Sequence, residues 1–423
     1  MKFVLASYGS RGDIEPFAAV GRELLRRGHD VRMAVPPDLT DFIESVGIPV
    51  VAYGPDTRLW LEAYRDFCTT CYGEFWNIKK LTDSWAKIRE SKYWPEVTSR
   101  LASLCEGVDV IATGGAFERP ALNVADHLDV PLATVHHVPI RPNGRFVPVL
   151  PAGAGRAAMK LYEWLMWRID AKIDDEQRRQ FDLQKAKSPS PRRIAERGSL
   201  EIQAYDQACF PGLASEWASW NGHRPFVGAL TLELPTDVDE DVKAWIAAGT
   251  PPICFGFGSL PVESPTRAIE LIAAACALLG VRGLVCAGAT DFTGAPLIDH
   301  VRIVGAVNYA AMFPACQAVV HHGGSGTTAA SMRAGVPTLV LWTGLDQAFW
   351  GTRIKRLGLG TSRRFATTSL ESLVMDLRKI LSPTYIARAA QFATRTTKSS
   401  EAARTAADLM EDFARMKALL DLR

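Results

Sequence analysis

The stretch Ala318–Gln347, AVVHHGGSGTTAASMRAGVPTLVLWTGLDQ, concentrates the residue types of this chain that are equipped for chemistry. It reads as an apolar strand ending at His321, a turn through His322, Gly323, Gly324, Ser325 and Gly326, and a helix opening at Thr327. A second apolar strand, Thr338–Leu341, leads to the acid–amide pair Asp346 and Gln347. A glycine-rich turn feeding a helix leaves backbone N–H groups unpaired at the positive end of the dipole, which is an anion site. Thr327 and Thr328 add hydroxyl donors, and His322 adds a ring N–H, with a full charge if protonated. The plainer alternative is a tight strand-to-helix turn and nothing more. Gly258–Ser259, after the apolar run Pro252–Phe257, repeats the arrangement as a second glycine–hydroxyl anion site.

The elements that must position these residues follow from periodicity. Lys2–Tyr8 is a mostly apolar run typical of a buried parallel strand. Gly9 and Gly12 turn the chain, Asp13 suits a helix N-cap, and Pro16 suits the first helical turn. The helix runs to about Arg27, Gly28 ends it, and Val31–Val35 is the next strand. This β-α-β opening predicts a doubly wound parallel sheet. Its spacing, Gly9-x-x-Gly12, lacks the third glycine of a dinucleotide fingerprint, and Ala34-Val35-Pro36 stands where a ribose-binding acid is expected.

Strand Val108–Ala112, the turn Thr113–Gly115, a helix to Leu128 and strand Pro131–Val135 continue the alternation. His136 and His137 then fall just past a strand end, where open α/β sheets place ligands, although two satisfied loop histidines would look the same. Between Trp60 and Trp94 aromatics crowd together, Trp76 among them; they read either as local core or as the wall of an apolar acceptor pocket. Met159–Ile169 is strongly apolar, and Arg178, Arg179, Lys185, Lys187, Arg192, Arg193 and Arg197 follow it. That predicts a helical hairpin with a basic face, either solvated or resting on an anionic membrane. In the second half, helix Thr266–Leu279, strands Gly283–Ala287 and Val301–Val304, and a charged amphipathic helix Ser399–Leu420 complete the pattern.

Composition excludes more than it assigns. A chain of 423 residues exceeds what one core usually serves, so two domains are expected. A formal net charge of +2 argues against a nucleic-acid partner. No apolar run reaches bilayer-spanning length, and MKFVLASYGS has no signal-peptide layout. The expected compartment is the cytosol, with peripheral attachment to the inner face of the plasma membrane as an option. Eight scattered cysteines include one CxxC, Cys68 and Cys71, without a second pair or a suitably spaced His, so no metal site is expected.

The HHGG-x-GTT core with its downstream DQ, and Asn308 and Tyr309 before it, resembles the donor-binding signature of family 1 glycosyltransferases. The opening KFVLASYGSRGDIEP and the following GHDVRMAVPP are most similar to actinobacterial, especially mycobacterial, enzymes that decorate cell-envelope lipids. Those include the glycopeptidolipid and phenolic-glycolipid rhamnosyl and deoxyhexosyl transferases; sterol and glycopeptide-antibiotic glycosyltransferases are also similar. The resemblance implies a GT-B fold: two Rossmann-like doubly wound parallel-sheet domains facing across a cleft, with a C-terminal helix crossing back. Residues 1–230 would bind acceptor, 231–240 link, 241–385 bind the nucleotide sugar, and 386–423 return to the first domain.

The activity implied is inverting, metal-independent transfer of a hexose or a rhamnose-like deoxyhexose from a dTDP- or UDP-sugar to a lipid hydroxyl, with no cofactor. Donor contacts would come from Ser10, Arg11, Gly12, Ser259, Asn308, His322, Gly324, Ser325, Gly326 and Thr327, with Asp346 and Gln347 on the sugar. His136, His137 and Trp76 would meet the acceptor. Asp13 would be the base, unless Arg11 locks it as an ion pair. A nucleotide-sugar epimerase, a binding protein without a base, or a UDP-glucose-dependent enzyme acting on a sterol are the alternatives.

Overall fold

The structure, a computed structural model, describes residues 1–421 apart from 74–76, 78, 81–82, 84–93, 147–149, 221, 259–261 and 263. The chain forms two compact units, Met1–Leu232 with Thr397–Arg423, and Glu233–Thr396.

The first unit is built on six parallel strands: β1 (Lys2–Ala6), β2 (Asp30–Val35), β3 (Val50–Ala52), β4 (Val110–Gly114), β5 (Leu132–His136) and β6 (Leu200–Gln203), in the order β3-β2-β1-β4-β5-β6. Both faces are covered, which is why β1, β4 and β5 are apolar almost throughout. Phe3 and Leu5 pack with Phe17, Val20 and Leu24 of helix Arg11–Arg26. Val4 and Ala6 point the other way, towards Tyr53, Leu101 and Leu122. The terminal helix Ser399–Asp421 belongs to this unit. Its Ala402, Ala406 and Met410 join the Phe3 layer, and its Asp408 and Glu411 pair with Arg27 at 2.6 and 3.0 Å. Helix Pro383–Ala393 stays with the second unit, so the chain crosses back at Thr397 and not at residue 386.

The second unit repeats the plan with β7 (Ile253–Gly256), β8 (Gly283–Cys286), β9 (Val301–Val304), β10 (Ala318–His321), β11 (Thr338–Trp342) and β12 (Gly360–Arg364). The order is β12-β11-β10-β7-β8-β9, again all parallel. Cys254 and Cys286 are buried core thiols 3.7 Å apart across β7 and β8. Cys68 and Cys71 lie on helix Thr57–Gly73 and are not joined in a disulfide.

In each sheet the chain steps outward in one direction, then restarts beside its first strand. That places a topological switch point between β1 and β4 in the first unit, and between β7 and β10 in the second. Ligand crevices of open α/β sheets form at such points, beyond the carboxyl ends of the strands.

The apolar stretch expected to open a helical hairpin forms a helix, Ala152–Gln180, of 29 residues, followed by a short helix, Ser190–Glu196. Its basic continuation is largely neutralised within the unit. Arg178 and Arg197 pair with Asp126, Arg193 with Asp174, Lys185 with Asp175 and Arg192 with Glu196. Among the described residues no helix is long and apolar enough to cross a membrane.

Candidate active site

At the switch point of the second sheet, β10 ends at His321 and the next helix opens at Ser325, with Gly324 as its N-cap. That is two residues earlier than the threonines suggest, because Gly324 already has the extended backbone a cap needs, φ −60° and ψ 145°. The N–H groups of Ser325, Gly326 and Thr327 therefore occupy the first turn, without intrahelical acceptors. Thr328 does not add a donor. It is fully buried, and its Oγ1 donates 2.8 Å back to the Gly324 carbonyl.

Two histidines brace this turn from within. His321 is buried, and its Nδ1 accepts the Gly323 N–H at 2.9 Å. Gly323 sits at φ +98°, where a Cβ would lie 2.7 Å from Val340 Cγ1 and 2.9 Å from the Gln347 carbonyl, so only glycine fits. Burial, with His322 beside it, pushes the His321 pKa down to about 3, so its ring is neutral with the proton on Nε2. That Nε2 has no hydrogen-bond partner among the described residues.

The His322 ring is seated between glycines of two loops. A Cβ at Gly258, after β7, would lie 2.3 Å from Cε1, and one at Gly324 would lie 2.5 Å from Nε2. Burial lowers the His322 pKa below the usual 6.5, against the pull of the Asp346 carboxylate and the Gly256 carbonyl. The ring is therefore neutral at neutral pH, not a fixed charge.

Asp346 and Gln347 open the helix Leu345–Leu357 after β11, the strand next to β10. Asp346 is exposed. Gln347 is buried, and its Oε1 accepts from Thr343 N, Thr343 Oγ1 and Gly344 N at 2.8, 3.0 and 3.0 Å. Its carbonyl oxygen thus shapes the loop in front of Asp346. Asn308 caps the short helix Tyr309–Met312 through Ala310 N at 3.1 Å, and its own N–H donates to Asp239 at 3.0 Å. Ser259 and Trp76 lie outside the described residues.

At the switch point of the first sheet the helix cap is Ser10, not Asp13. Asp13 is the third helical residue, and its Oδ2 reaches back to Ser10 N at 2.8 Å and Ser10 Oγ at 3.0 Å, the reciprocal half of a capping box. Gly9, at φ +135°, allows this approach, since a Cβ there would be 2.4 Å from Oδ2. Arg11 pairs with Glu15 at 3.1 Å and lies 4.4 Å from the Phe42 ring. Gly12 is exposed in the first helical turn. Beside the switch point, Phe117 meets Tyr8 and Tyr53 with ring centroids 4.8 and 5.6 Å away.

The two histidines after β5 differ sharply. His136 is the last residue of the strand, with a fully buried side chain, not a loop residue. Its Nε2 donates to Glu118 at 2.7 Å, and its Nδ1 accepts from Gln203 at 3.2 Å. Glu118 also binds Arg141 at 2.9 Å, Arg141 binds Glu201, and Glu201 takes Arg224 at 2.9 Å. Nothing in the sequence joins these six residues, which come from four separate segments. His136 is thus sealed away from any acceptor. His137 is only partly buried, and burial with His136 alongside lowers its pKa to about 4, keeping the ring neutral.

The comparisons agree with this architecture. Residues 3–122 match the family model for the glycosyltransferase family 28 N-terminal domain. Residues 287–411 match that for the C-terminal domain like erythromycin biosynthesis protein CIII. An uncharacterized glycosyltransferase of Mycobacterium leprae is 51% identical over 414 residues, 98% of this chain and 97% of that protein. A sterol 3-beta-glucosyltransferase of Arabidopsis thaliana is 28% identical, covering 90% of this chain and 63% of that one. The crystal structure of the glycosyltransferase VinC in complex with dTDP has a TM-score of 0.66 at 17% identity, covering 98% of this chain and all of that one. Sequence kinship across the whole chain and two six-stranded parallel sheets lead to one conclusion: the chain belongs to the family 1 glycosyltransferases of GT-B fold.

Proposed function

We propose that this glycosyltransferase moves a hexose or a rhamnose-like deoxyhexose from a dTDP- or UDP-sugar to the hydroxyl of a lipid acceptor, with inversion and without a metal. The observation that supports it most is the turn after β10, where free first-turn N–H groups and two neutral histidines meet at a switch point. VinC, crystallised with dTDP, shares the fold and supports a nucleoside diphosphate as the ligand of that turn. In the step proposed, the acceptor oxygen forms a bond to the anomeric carbon while the bond from that carbon to the diphosphate oxygen breaks. The electron pair leaves with the diphosphate, and the N–H dipoles strengthen their hold as its charge develops. The acceptor proton passes to Asp13, the carboxylate at the carboxyl end of β1.

Asn308 beside the nucleotide base, and Asp346 with Gln347 on the sugar hydroxyls, complete the donor assignment. For Gln347 the side-chain amide N–H is the group that remains for the sugar, since its carbonyl oxygen already takes three donors. Glucosyl transfer from UDP-glucose to a sterol-like alcohol is a second reading, favoured by the Arabidopsis relative.

Asp13→Asn is the test. Asparagine retains an oxygen that accepts from Ser10 N, so folding and titration with dTDP or UDP should change little. Turnover should fall by about two orders of magnitude or more, the range of a general base. Unimpaired turnover would move the base to His137, the accessible member of the histidine pair.

A further inference from the structure

The helix Ala152–Gln180 is held at both ends, and near its start Gly155 and Met159 are buried and Arg156 pairs with Glu216 at 2.7 Å. At 29 residues it is about 43 Å long, against about 17 Å for the five-residue β5 that precedes it. Its second half is tied to helix Glu118–Leu128: Asp170 pairs with Arg119 at 3.0 Å, and Asp174 accepts from Asn123 at 3.0 Å. The outward face of the middle stretch is different. Leu161, Tyr162, Trp164, Leu165 and Ile169 are 45–60% exposed. At 100° per residue these side chains share one side of the helix.

Lys160, Arg168 and Lys172 are exposed along the same stretch. The acids there, Glu163 and Asp170, are turned inward and only partly exposed, Asp170 towards Arg119. The outward face from 160 to 172 therefore carries aliphatic and aromatic side chains with three cations and no exposed carboxylate. A protein partner of mixed surface charge would leave those cations unmatched in part. A layer of phosphate head groups over hydrocarbon matches both features at once, with apolar side chains and ring bodies below and ammonium or guanidinium groups at head-group level.

We propose that the 160–172 face of this helix is a docking surface for an anionic lipid bilayer. The cations come from the helix itself, since most of the basic residues between 178 and 197 are held in ion pairs. In a β-α-β unit the helix begins on the side of the sheet where the strands end, which is also where Asp13 follows β1. The inference extends the lipid-acceptor reading, and its test does not depend on transfer.

The full chain is sedimented with phosphatidylcholine vesicles and with vesicles containing about 30 mol% phosphatidylglycerol, at low and at physiological salt. Two variants accompany it, Trp164→Ser/Leu165→Ser and Arg168→Glu/Lys172→Glu, each checked for an unchanged thermal transition. The expected result is binding to anionic vesicles that weakens with salt, and a loss of about tenfold or more in both variants. Binding to neither vesicle overturns the proposal, as does equal binding by wild type and both variants. A dimer in light scattering that the Ser variant dissolves, without vesicle binding, assigns the face to a second copy and also overturns it. Titration with dTDP and UDP on the same samples separates the two readings. Vesicle binding without nucleotide binding defeats the transferase assignment alone, and the reverse defeats only the docking surface.

Discussion

Gly258→Ala should push the His322 ring out of its seat. Gly258 lies at φ +71°, and a Cβ there falls 2.3, 2.6 and 2.7 Å from Cε1, Nδ1 and Nε2 of that ring. On its other side the ring lies close against Gly324, where a Cβ would be 2.5 Å from Nε2. Alanine at positive φ costs about 1–2 kcal/mol. Overpacking against the ring adds about 1–3 kcal/mol, and the stiffer unfolded chain offsets about 0.4–1 kcal/mol. The variant should lose about 2–4 kcal/mol of stability in the second unit.

In a His322→Ala background the overpacking has no target, so Gly258→Ala should cost only the backbone strain. The double-mutant cycle then shows a coupling of about 1–3 kcal/mol. Urea unfolding of the four proteins measures it, following the transition that shifts when UDP is added, since two compact units give more than one transition to choose from. Calorimetric titration with dTDP and UDP should show weakened binding in both single variants and no further loss in the double. Additivity within about 0.5 kcal/mol would refute the steric argument. Full nucleotide affinity in Gly258→Ala would refute the role given to the ring.

Two more outcomes concern the buried charges of the first unit. Burial lifts the Glu163 carboxyl from 4.5 to about 7, with Arg141 and Arg224 opposing and Glu118 and Glu201 reinforcing. A raised carboxyl pKa means that folding favours the protonated form, so stability is full below about pH 4.5 and is lost as pH rises to about 7, by at most about 3 kcal/mol. Glu163→Gln should flatten that loss, seen as urea midpoints that no longer fall between about pH 5 and about pH 8. Glu201→Gln should cost about 3–5 kcal/mol, because it leaves the buried Arg141 and Arg224 with less countercharge. A melting temperature within a degree or so of wild type would show the network to be dispensable.

Much of the fold is legible in order along the chain because its causes are local. Apolar runs such as Phe3-Val4-Leu5-Ala6 and Val319-Val320 announce strands buried on both faces. Gly28 and Gly335 announce helix ends through their positive φ. The glycine-rich turn after His321 is visible for the same reason, since glycines and a helix start within six residues leave N–H groups unpaired whatever surrounds them. Even there the cap lies at Gly324, and Thr328 turns inward, because side-chain direction depends on which helix face the core takes.

What only the tertiary structure decides are pairings between distant segments. His136 and His137 are adjacent and chemically identical, yet one is sealed by Glu118 and Gln203 while the other stays reachable, because β5 ends between them. The basic residues from Arg178 to Arg197 look like a surface patch until helix Glu118–Leu128 brings Asp126 beside two of them. Gly258 and His322 stand 64 positions apart, and their contact exists because strand order sets β7 beside β10. Periodicity records which face of an element is apolar; it carries no record of which element that face will meet. Sheet order supplies that second fact, and with it the neutral charge of His322, the sealing of His136 and the open face of the long helix.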